Sequence, residues 1–195
     1  MWNLMTLDGR FEGPKPWDLD WHGSIFDDEL ERMSIEQLDT AEALLFGRKT
    51  YEGMAAYWAS ATGDVAERMN AIPKIVASRT LERVEWNNST LIAGDFEREI
   101  RERKQRASKD IFVFGSADLS KALLRAGLFD ELRIAIAPLI LGSGRFLFDD
   151  SNEQIKLTPT GVQRLSSGGV IVCYAPQKPI RSSTESIVES KSGDP

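Results

Sequence analysis

The sequence predicts an α/β fold with three layers, in which helices cover both faces of a mostly parallel β-sheet. Short apolar segments that are typical of buried parallel strands alternate with segments whose apolar residues recur at helical spacing. The last two apolar segments, residues 162–165 and 170–174, flank the sequence Ser-Ser-Gly-Gly at 166–169, which is typical of a β-hairpin turn. We therefore expect the sheet to end in an antiparallel hairpin at its C-terminal edge.

The first half of the chain contains three predicted strands and three predicted helices. The strands cover residues 2–7, 43–46 and 74–78, and the helices cover residues 27–40, 50–58 and 64–72. Two glycines and a proline are expected to keep residues 8–14 from regular structure. Ser34, in a Ser-x-x-Gln pattern, is an alternative helix start, and Asp64 with Glu67 forms a predicted capping box.

The second half continues the alternation of strands and helices. Strands are predicted over residues 89–93, 110–114 and 132–137, and helices over residues 96–107 and 119–126. The first of these helices carries both signs of charge on its outer faces, which indicates a solvated helix with ion pairs rather than a nucleic-acid surface. Gly127 is expected to end the second helix.

Length and composition describe one globular domain. The chain has 195 residues, of which 42% are hydrophobic and 28% charged, a balance typical of globular proteins. We assign residues 1–176 to this domain. Residues 177–195 are rich in serine and poor in apolar residues, so we expect a disordered tail there.

Charge and apolar patterning exclude several classes of protein. The net charge of -6 argues against a general nucleic-acid partner, which a basic surplus would favour. No apolar run reaches the roughly 20 residues that span a bilayer, and the N-terminus lacks a signal-peptide pattern, so we expect a cytoplasmic protein without a membrane partner. Cys173 and His22, the single cysteine and histidine, lie too far apart in sequence for a zinc site, so no metal is expected.

Three apolar strands are each followed by small, hydroxyl-bearing or basic residues. These segments are residues 44–52 (LLFGRKTYE), 74–81 (KIVASRTL) and 111–119 (IFVFGSADL). In an open α/β sheet, ligands bind outside the carboxyl ends of the strands, where helix N-termini attract phosphate. The three endings together predict a nucleotide cofactor site.

With these segments the chain resembles the dihydrofolate-reductase-like proteins, and among them the branch similar to the C-terminal reductase domain of the bifunctional riboflavin-biosynthesis deaminase-reductase. The motifs occur in the order of that family. They are MTLDGR (5–10), FGRKTYE (46–52), SRTL (78–81), GSADL (115–119), LFDEL (128–132) and PLILGSG (138–144), followed by Leu147 and Phe148.

The resemblance implies an NADPH-dependent reductase, an oxidoreductase acting on a small nitrogen heterocycle. The substrate it suggests first is 5-amino-6-(5-phosphoribosylamino)uracil of riboflavin biosynthesis. The alternatives are a dihydrofolate or pterin reductase and a non-catalytic nucleotide-binding module that retains the fold. Relatives are commonly homodimers, and the apolar residues 132–140 are expected to supply part of such an interface.

The resemblance also implies which residues bind the cofactor. They are Thr6, Asp8 and Gly9 on the loop that closes over the nicotinamide; Gly47, Arg48, Lys49 and Thr50 near the phosphates; Ser78, Arg79 and Thr80 at the adenosine ribose and its 2′-phosphate; and Gly115, Ser116, Ala117, Asp118 and Leu119 at the pyrophosphate. Thr50 can also cap the helix that follows it. A guanidinium group beside hydroxyls suits a phosphate, so Arg79 favours NADPH over NADH.

The proton donor and the substrate contacts are less sharply defined by the sequence. Asp28 or Glu31 on the first helix is the candidate catalytic acid, and the alternative is that both are helix-terminal charges facing solvent. In the aromatic segment 17–22, we expect Trp21 to stack on the substrate ring and His22 to donate a proton. The alternative for His22 is a surface or core histidine without a catalytic role.

Overall fold

The computed structural model describes residues 1–148 and 154–177. The strands are β1 (Trp2–Thr6), β2 (Arg10–Glu12), β3 (Ala41–Gly47), β4 (Lys74–Ala77), β5 (Ser89–Ile92), β6 (Asp110–Val113), β7 (Leu132–Ala137), β8 (Arg145–Phe146), β9 (Leu157–Arg164) and β10 (Val170–Pro176). The helices are α1 (Asp28–Asp39), α2 (Arg48–Trp58), α3 (Asp64–Ala71), α4 (Phe96–Arg106) and α5 (Ala117–Arg125), with a short 3₁₀ helix at Asp20–Ser24. The predicted disordered tail lies, apart from Gln177, outside the described residues.

Eight strands form a mostly parallel sheet in the order β5-β4-β3-β6-β1-β7-β10-β9. Among the described residues, it consists of two four-stranded units that meet at one backbone bridge, between Trp2 and Phe114. All neighbouring strands pair in parallel except β10, which is antiparallel to both β7 and β9. The predicted sheet with a C-terminal antiparallel hairpin is therefore confirmed.

Helices cover both faces of this sheet. Consecutive residues of β3 point to opposite faces, since side chains alternate along a strand. On one face, Leu44 packs in a core cluster with residues of α1, α2 and α3. On the other face, Leu45 packs with Ile100 of α4 and Leu123 of α5. The three-layer arrangement is confirmed.

Several local predictions were wrong. Residues 8–14 contain β2, which pairs with β8 despite the glycines and the proline around it. Helix α1 continues through Ser34, in agreement with the helix predicted over residues 27–40, so Ser34 is not a helix start; its hydroxyl donates to the Leu30 carbonyl (2.7 Å). Helices α2 and α3 begin after Gly47 and Gly63 without a side-chain cap, so neither Thr50 nor the predicted Asp64 box caps them.

The strand proposed for a dimer interface lies inside the sheet. β7 is flanked by β1 and β10, and its residues Leu132 and Ile134 are buried within the protein itself. Ile140, three residues beyond the strand, is 70% exposed. Within this strand the buried residues Leu132, Ile134, Ala135 and Ala137 are therefore covered by the protein itself, while Arg133 and Ile136 are partly exposed. No helix within residues 1–148 and 154–177 is long and apolar enough to cross a membrane.

Candidate functional site

A cavity of about 970 Å³ lies where β3, β4 and β6 end. Most of the predicted cofactor residues line it: Gly47, Arg48, Lys49, Thr50, Ser78, Arg79, Gly115, Ser116, Ala117, Asp118 and Leu119. We call these eleven residues the strand-end shelf. The three strand endings, far apart in sequence, thus come together at one edge of the sheet, as expected for parallel strands.

The shelf contains the features that attract anions. Helices α2 and α5 begin there, at Arg48 and Ala117, and the first N–H groups of a helix have no partner within it. These groups and the helix dipole favour negative charge. Lys49 and Arg79 add basic side chains to the cavity wall, and Arg48 forms an exposed ion pair with Glu52 (3.3 Å).

Ser116 connects two segments of the shelf. Its hydroxyl accepts a hydrogen bond from the backbone N–H of Gly47 (3.0 Å), which joins the end of β3 to the start of α5. Both Gly115 and Ser116 have φ near +57°, a conformation that favours glycine. A Cβ at Gly115 would lie 3.3 Å from the Thr50 methyl group, so the two turns are also closely packed.

Four predicted cofactor residues do not line the cavity: Thr6, Asp8, Gly9 and Thr80. Thr6 is fully buried, and its hydroxyl donates to the Asp8 carboxylate (2.6 Å). That carboxylate also accepts the N–H groups of Leu141 (3.0 Å) and Gly142 (2.9 Å). The Thr6 hydroxyl and these backbone donors lower the pKa of Asp8 to about 2. Thr6 and Asp8 therefore connect the loop after β1 to the loop that contains Leu141 and Gly142.

Beyond the shelf, the lining includes a mostly apolar group of residues as well as the charged residues Glu12, Lys15, Glu52 and Arg145. We call the mostly apolar group the apolar pocket; it is formed by Trp17, Leu19, His22, Phe26, Ser34, Leu38, Met54, Trp58, Val65 and Met69. Its walls come from α1, α2, α3 and the segment before α1. Met54, Trp58 and Val65 pack against the core cluster that contains Leu38 and Met69, so the floor of the pocket is continuous with the protein core.

His22 lines the apolar pocket, as predicted for a substrate contact. Its ring meets the Trp21 ring edge-on, with centroids 4.4 Å apart. Burial lowers the pKa of His22 from 6.5 to about 4, because a charged imidazole loses its hydration there. At neutral pH the imidazole is therefore uncharged, with one nitrogen donating and the other accepting.

Trp21 itself is not in the cavity. It is 7% exposed and belongs to the core cluster that includes Ile25 and Leu30. The prediction that Trp21 stacks on a substrate is corrected by this placement, since its faces are covered by core residues. The sequence of residues 17–22 does not show whether Trp17 or Trp21 packs in the core.

Trp17 presents its indole to the cavity, and the sequence analysis did not single it out. Its ring lies against α2 at Gly53, where a Cβ would come 1.9 Å from the ring. The backbone N–H of Trp17 donates to the buried Glu12 carboxylate (2.6 Å), which also accepts from Arg145 (3.2 Å). A glycine in the middle of a helix is a signal of such a close approach.

The candidate acids on α1 lie outside the cavity. Asp28 and Glu31 are exposed in the first turn of α1, where carboxylates stabilise the helix dipole. The side of α1 that lines the cavity carries Ser34 and Leu38 instead. The structure therefore corrects the placement of Asp28 and Glu31 in favour of the solvent-facing alternative.

The carboxylates that do line the cavity are already paired. Glu12 binds Trp17 and Arg145, Glu52 binds Arg48, and Asp118 lies 3.7 Å from Arg145. Within the described ranges, no group of His, Cys, Asp or Glu residues is arranged to hold a metal ion. The cavity thus combines a basic shelf with an apolar pocket and no unpartnered acid.

Sequence comparison relates the chain to a known family. The sequence profile of the RibD C-terminal domain family matches residues 1–171. The chain is 31% identical over 176 residues to the uncharacterized protein YyaP of Bacillus subtilis (strain 168), and the alignment covers 87% of this chain and 90% of YyaP.

Structural comparison identifies the fold as dihydrofolate-reductase-like. A putative riboflavin biosynthesis protein from Shewanella sp. PV-4 matches with a TM-score of 0.75 at 18% identity, over 91% of this chain and 97% of its own. A pyrimidine reductase-like protein from Corynebacterium diphtheriae matches with a TM-score of 0.65 at 13% identity, over 91% and 90%. The diaminohydroxyphosphoribosylaminopyrimidine deaminase/5-amino-6-(5-phosphoribosylamino)uracil reductase of Thermotoga maritima matches with 0.63 at 17% identity, over 90% of this chain and 55% of its own.

Proposed function

Because this chain belongs to the RibD C-terminal domain family, we propose that it is an NADPH-dependent reductase of a small, planar nitrogen heterocycle. The observation that carries the proposal is the convergence of three strand ends on one cavity, which joins the strand-end shelf to the apolar pocket. A cavity with an anion-attracting end and an apolar end suits a dinucleotide together with a flat ring.

The shelf suits the phosphates of NADPH. Arg48 and Lys49 place positive charge beside the first N–H groups of α2, and the small residues Gly115 and Ala117 leave the backbone accessible at the start of α5. We assign the 2′-phosphate to Arg79, because a guanidinium can form two parallel hydrogen bonds with a phosphate. This assignment favours NADPH over NADH.

The apolar pocket suits the substrate ring. NADPH supplies a hydride when it is bound, and the residues of this chain have to orient the two rings and keep water out. Trp17, Met54 and Trp58 provide apolar walls, while the neutral His22 offers one donor and one acceptor to a ring heteroatom. Since the carboxylates in the wall are paired and His22 is uncharged at neutral pH, we assign the proton to water, with His22 as a hydrogen-bonding partner of the ring.

Calorimetric titration with NADPH and NADH tests the cofactor assignment. We expect Arg79→Ala to weaken NADPH binding by about tenfold to a hundredfold and to leave NADH binding nearly unchanged, as for a lost charge-assisted hydrogen bond. Arg83→Ala is the matched control, because Arg83 is exposed, pairs with Glu85 and does not line the cavity. Absence of NADPH binding to the unaltered protein would refute the proposal.

A second candidate function is a non-catalytic nucleotide-binding module. The observation that favours it is the position of Asp28 and Glu31 outside the cavity, which leaves no free carboxylate beside a bound ring. An assay of NADPH oxidation with a panel of pyrimidines and pterins separates the two candidates. Oxidation of NADPH supports the reductase, whereas tight NADPH binding without oxidation supports the module.

Three finer assignments belong to the same proposal. The resemblance suggests 5-amino-6-(5-phosphoribosylamino)uracil as the substrate, with a pterin as the alternative. A pterin would need a carboxylate of α1 to bind it, and Asp28 and Glu31 of α1 do not line the cavity. A homodimer stays a prediction, which mass measurement in solution would test. A cytoplasmic location is likewise a prediction, which fractionation of cells would test.

A further inference from the structure

Asn3 lines the cavity from the start of β1, although only 6% of its surface is exposed. β1 begins where β6 ends, because Trp2 forms a backbone bridge with Phe114, the residue after β6. The start of β1 is therefore level with the strand-end shelf, and the Asn3 side chain contacts Gly115. A residue at the beginning of one strand thus reaches the cavity at which the neighbouring strands end.

The Asn3 carboxamide has one group paired and one group without a partner. Its Nδ2 donates a hydrogen bond to the Gly115 carbonyl (3.4 Å), which fixes the orientation of the amide, since Oδ1 in the same place would face another acceptor. No described residue donates a hydrogen bond to Asn3 Oδ1. This oxygen is not sealed from solvent, in contrast to Nε1 of Trp21. A side chain that is more than nine-tenths buried therefore keeps a free acceptor at the cavity.

The order of the strands indicates which part of a dinucleotide would meet this oxygen. The proposed function assigns the 2′-phosphate of the adenosine half to Arg79, after β4, and the phosphates between the two riboses to the starts of α2 and α5. The strands of this region follow one another in the order β4-β3-β6-β1. A dinucleotide that extends from Arg79 across these strand ends would therefore reach β1 with the ribose of its nicotinamide half. The groups of a ribose that donate hydrogen bonds are its hydroxyls.

We propose that Asn3 is a cofactor-binding residue whose Oδ1 accepts a hydrogen bond from a hydroxyl group of the nicotinamide ribose. This inference rests on the proposed function, because it concerns the same cofactor. A carboxamide oxygen only accepts hydrogen bonds, so it suits a hydroxyl group and disfavours a phosphate oxygen in the same place. Asn3 therefore favours the ribose, rather than the phosphates, at the junction of β1 and β6.

Burial makes this hydrogen bond favourable. An acceptor with little access to water is poorly satisfied in the free protein, and a ligand hydroxyl satisfies it. Asn3 is also ordered before a ligand binds, because its backbone pairs with β7 opposite Ile134 and its Nδ2 is bound to Gly115. Binding therefore does not have to immobilise this side chain, which lowers the entropic cost of the contact.

Three ligands separate the parts of the cofactor in a calorimetric test. NADP⁺ contains both nucleotide halves, ADP-ribose 2′-phosphate lacks the nicotinamide ring, and adenosine 2′,5′-bisphosphate lacks the second ribose and its phosphate as well. We expect Asn3→Leu to weaken binding of NADP⁺ and of ADP-ribose 2′-phosphate by about tenfold and to leave binding of the bisphosphate unchanged. Asn3→Ala, a smaller side chain, should give the same pattern. Unchanged affinity for the bisphosphate also shows that each variant is folded.

Three results would overturn the proposal. Weaker binding of NADP⁺ alone would assign the Asn3 oxygen to the nicotinamide ring instead of the ribose. Equal weakening for all three ligands would mean that the substitution disturbs the strand-end shelf as a whole. Unchanged binding of all three ligands would remove Asn3 from the cofactor site.

Ser120→Ala is the matched control. The Ser120 hydroxyl donates to the same Gly115 carbonyl (3.3 Å) from α5, but Ser120 is 2% exposed and does not line the cavity. We expect this variant to bind all three ligands within about twofold of the unaltered protein. An equal loss in Ser120→Ala and Asn3→Leu would mean that Asn3 acts only by holding the turn at Gly115, which also overturns the proposal. If the unaltered protein binds neither NADP⁺ nor the bisphosphate, the proposed function fails, whereas normal binding with no effect of Asn3→Leu refutes this inference alone.

Discussion

Ser116 occupies a left-handed backbone position that favours glycine, and its hydroxyl gives a reason for a serine there. With φ near +57°, an L-residue at this position costs about 1–2 kcal/mol relative to the right-handed region. The hydroxyl offsets part of this cost by accepting a hydrogen bond from the N–H of Gly47. One side chain thus holds two strand endings in register.

Replacing Ser116 separates these two effects. We expect Ser116→Ala to lower the free energy of unfolding by about 1–2 kcal/mol, because the Gly47 N–H loses its acceptor while the backbone cost remains. Ser116→Gly loses the same hydrogen bond but relieves the backbone, so its loss should be smaller by about 1 kcal/mol. Urea unfolding of the three proteins measures the order. If the alanine variant were the more stable of the two, the left-handed backbone at residue 116 would carry no cost, and an alanine variant as stable as the unaltered protein would mean that the hydrogen bond has no net effect.

His22 makes the stability of the protein depend on pH. Its pKa is about 4 in the folded protein and 6.5 ordinarily, so between these values the unfolded chain binds a proton that the folded protein does not. The free energy of unfolding should therefore fall as pH decreases from 6.5 to 4, by at most about 3 kcal/mol, and the full contribution is present above 6.5. We expect His22→Asn to reduce this fall, measured by urea unfolding across the window. If the free energy of unfolding depended on pH identically in both proteins, His22 would not be the group responsible for this fall.

At the scale of the element, helix α2 has a glycine in its interior, at Gly53, because the Trp17 indole packs where a side chain would begin. Glycine in a helix interior costs about 1 kcal/mol relative to alanine, and nothing in the pattern of α2 itself calls for one. The indole that occupies the Cβ position of Gly53 supplies the reason. The loop before α1 and helix α2 therefore depend on each other.

A double-mutant cycle measures this dependence. In the unaltered protein, we expect Gly53→Ala to be destabilising, because the added methyl group displaces the Trp17 ring. In a Trp17→Ala background the same substitution should stabilise the protein by about 1 kcal/mol, as in an ordinary helix. Gly23→Ala is the control, since a Cβ there meets no atom within 4 Å. Additive free energies of unfolding would show that the ring and the glycine are not coupled.

The pattern of residues predicted most elements because their signals are local. Apolar periodicity located α1, α4 and the parallel strands to within a few residues. β2 escaped prediction because its partner β8 lies more than 130 residues away in sequence. The caps at Gly47 and Gly63 escaped because capping depends on the backbone angles at one position, which composition does not determine.

The candidate site was predictable where backbone topology alone determines it. Parallel strands place their carboxyl ends at one edge, so the convergence of Arg48, Arg79 and Gly115 on one cavity followed from the fold. The orientation of individual side chains did not follow. Trp17 and Trp21 are four residues apart, and tertiary contacts distinguish them: Trp21 packs in the core, whereas the Trp17 N–H is bound by Glu12.

At the scale of the whole molecule, α1 connects the two halves of the sheet. Leu30 is buried in the core cluster of β1, β7 and β10, whereas Leu38 is buried in the cluster of β3, β4 and β6. The strands of the two halves share only the Trp2–Phe114 bridge among the described residues. Side-chain packing, to which α1 contributes on both halves, therefore adds to the connection made by this bridge.

Substitutions in α1 test this connection. We expect Leu30→Ala and Leu38→Ala each to lower the free energy of unfolding by about 2–5 kcal/mol, because each leaves a cavity in a closed core. Glu36→Ala, on the exposed side of α1, should change it by less than about 0.5 kcal/mol. Amide hydrogen exchange adds the decisive readout: Leu30→Ala should speed exchange in β3 as well as in β7. Faster exchange confined to β7 would mean that the halves open independently.

The single bridge between the half-sheets has one more consequence. Trp2 and Asn3 on one side of this seam, and Phe114 and Gly115 on the other, all border the same cleft. We therefore expect the width of the cleft to depend on the angle at which the two half-sheets meet. A substitution far from the cleft that tilts one half-sheet slightly would then change which ligands fit the cleft, although every residue that contacts the ligand stays the same.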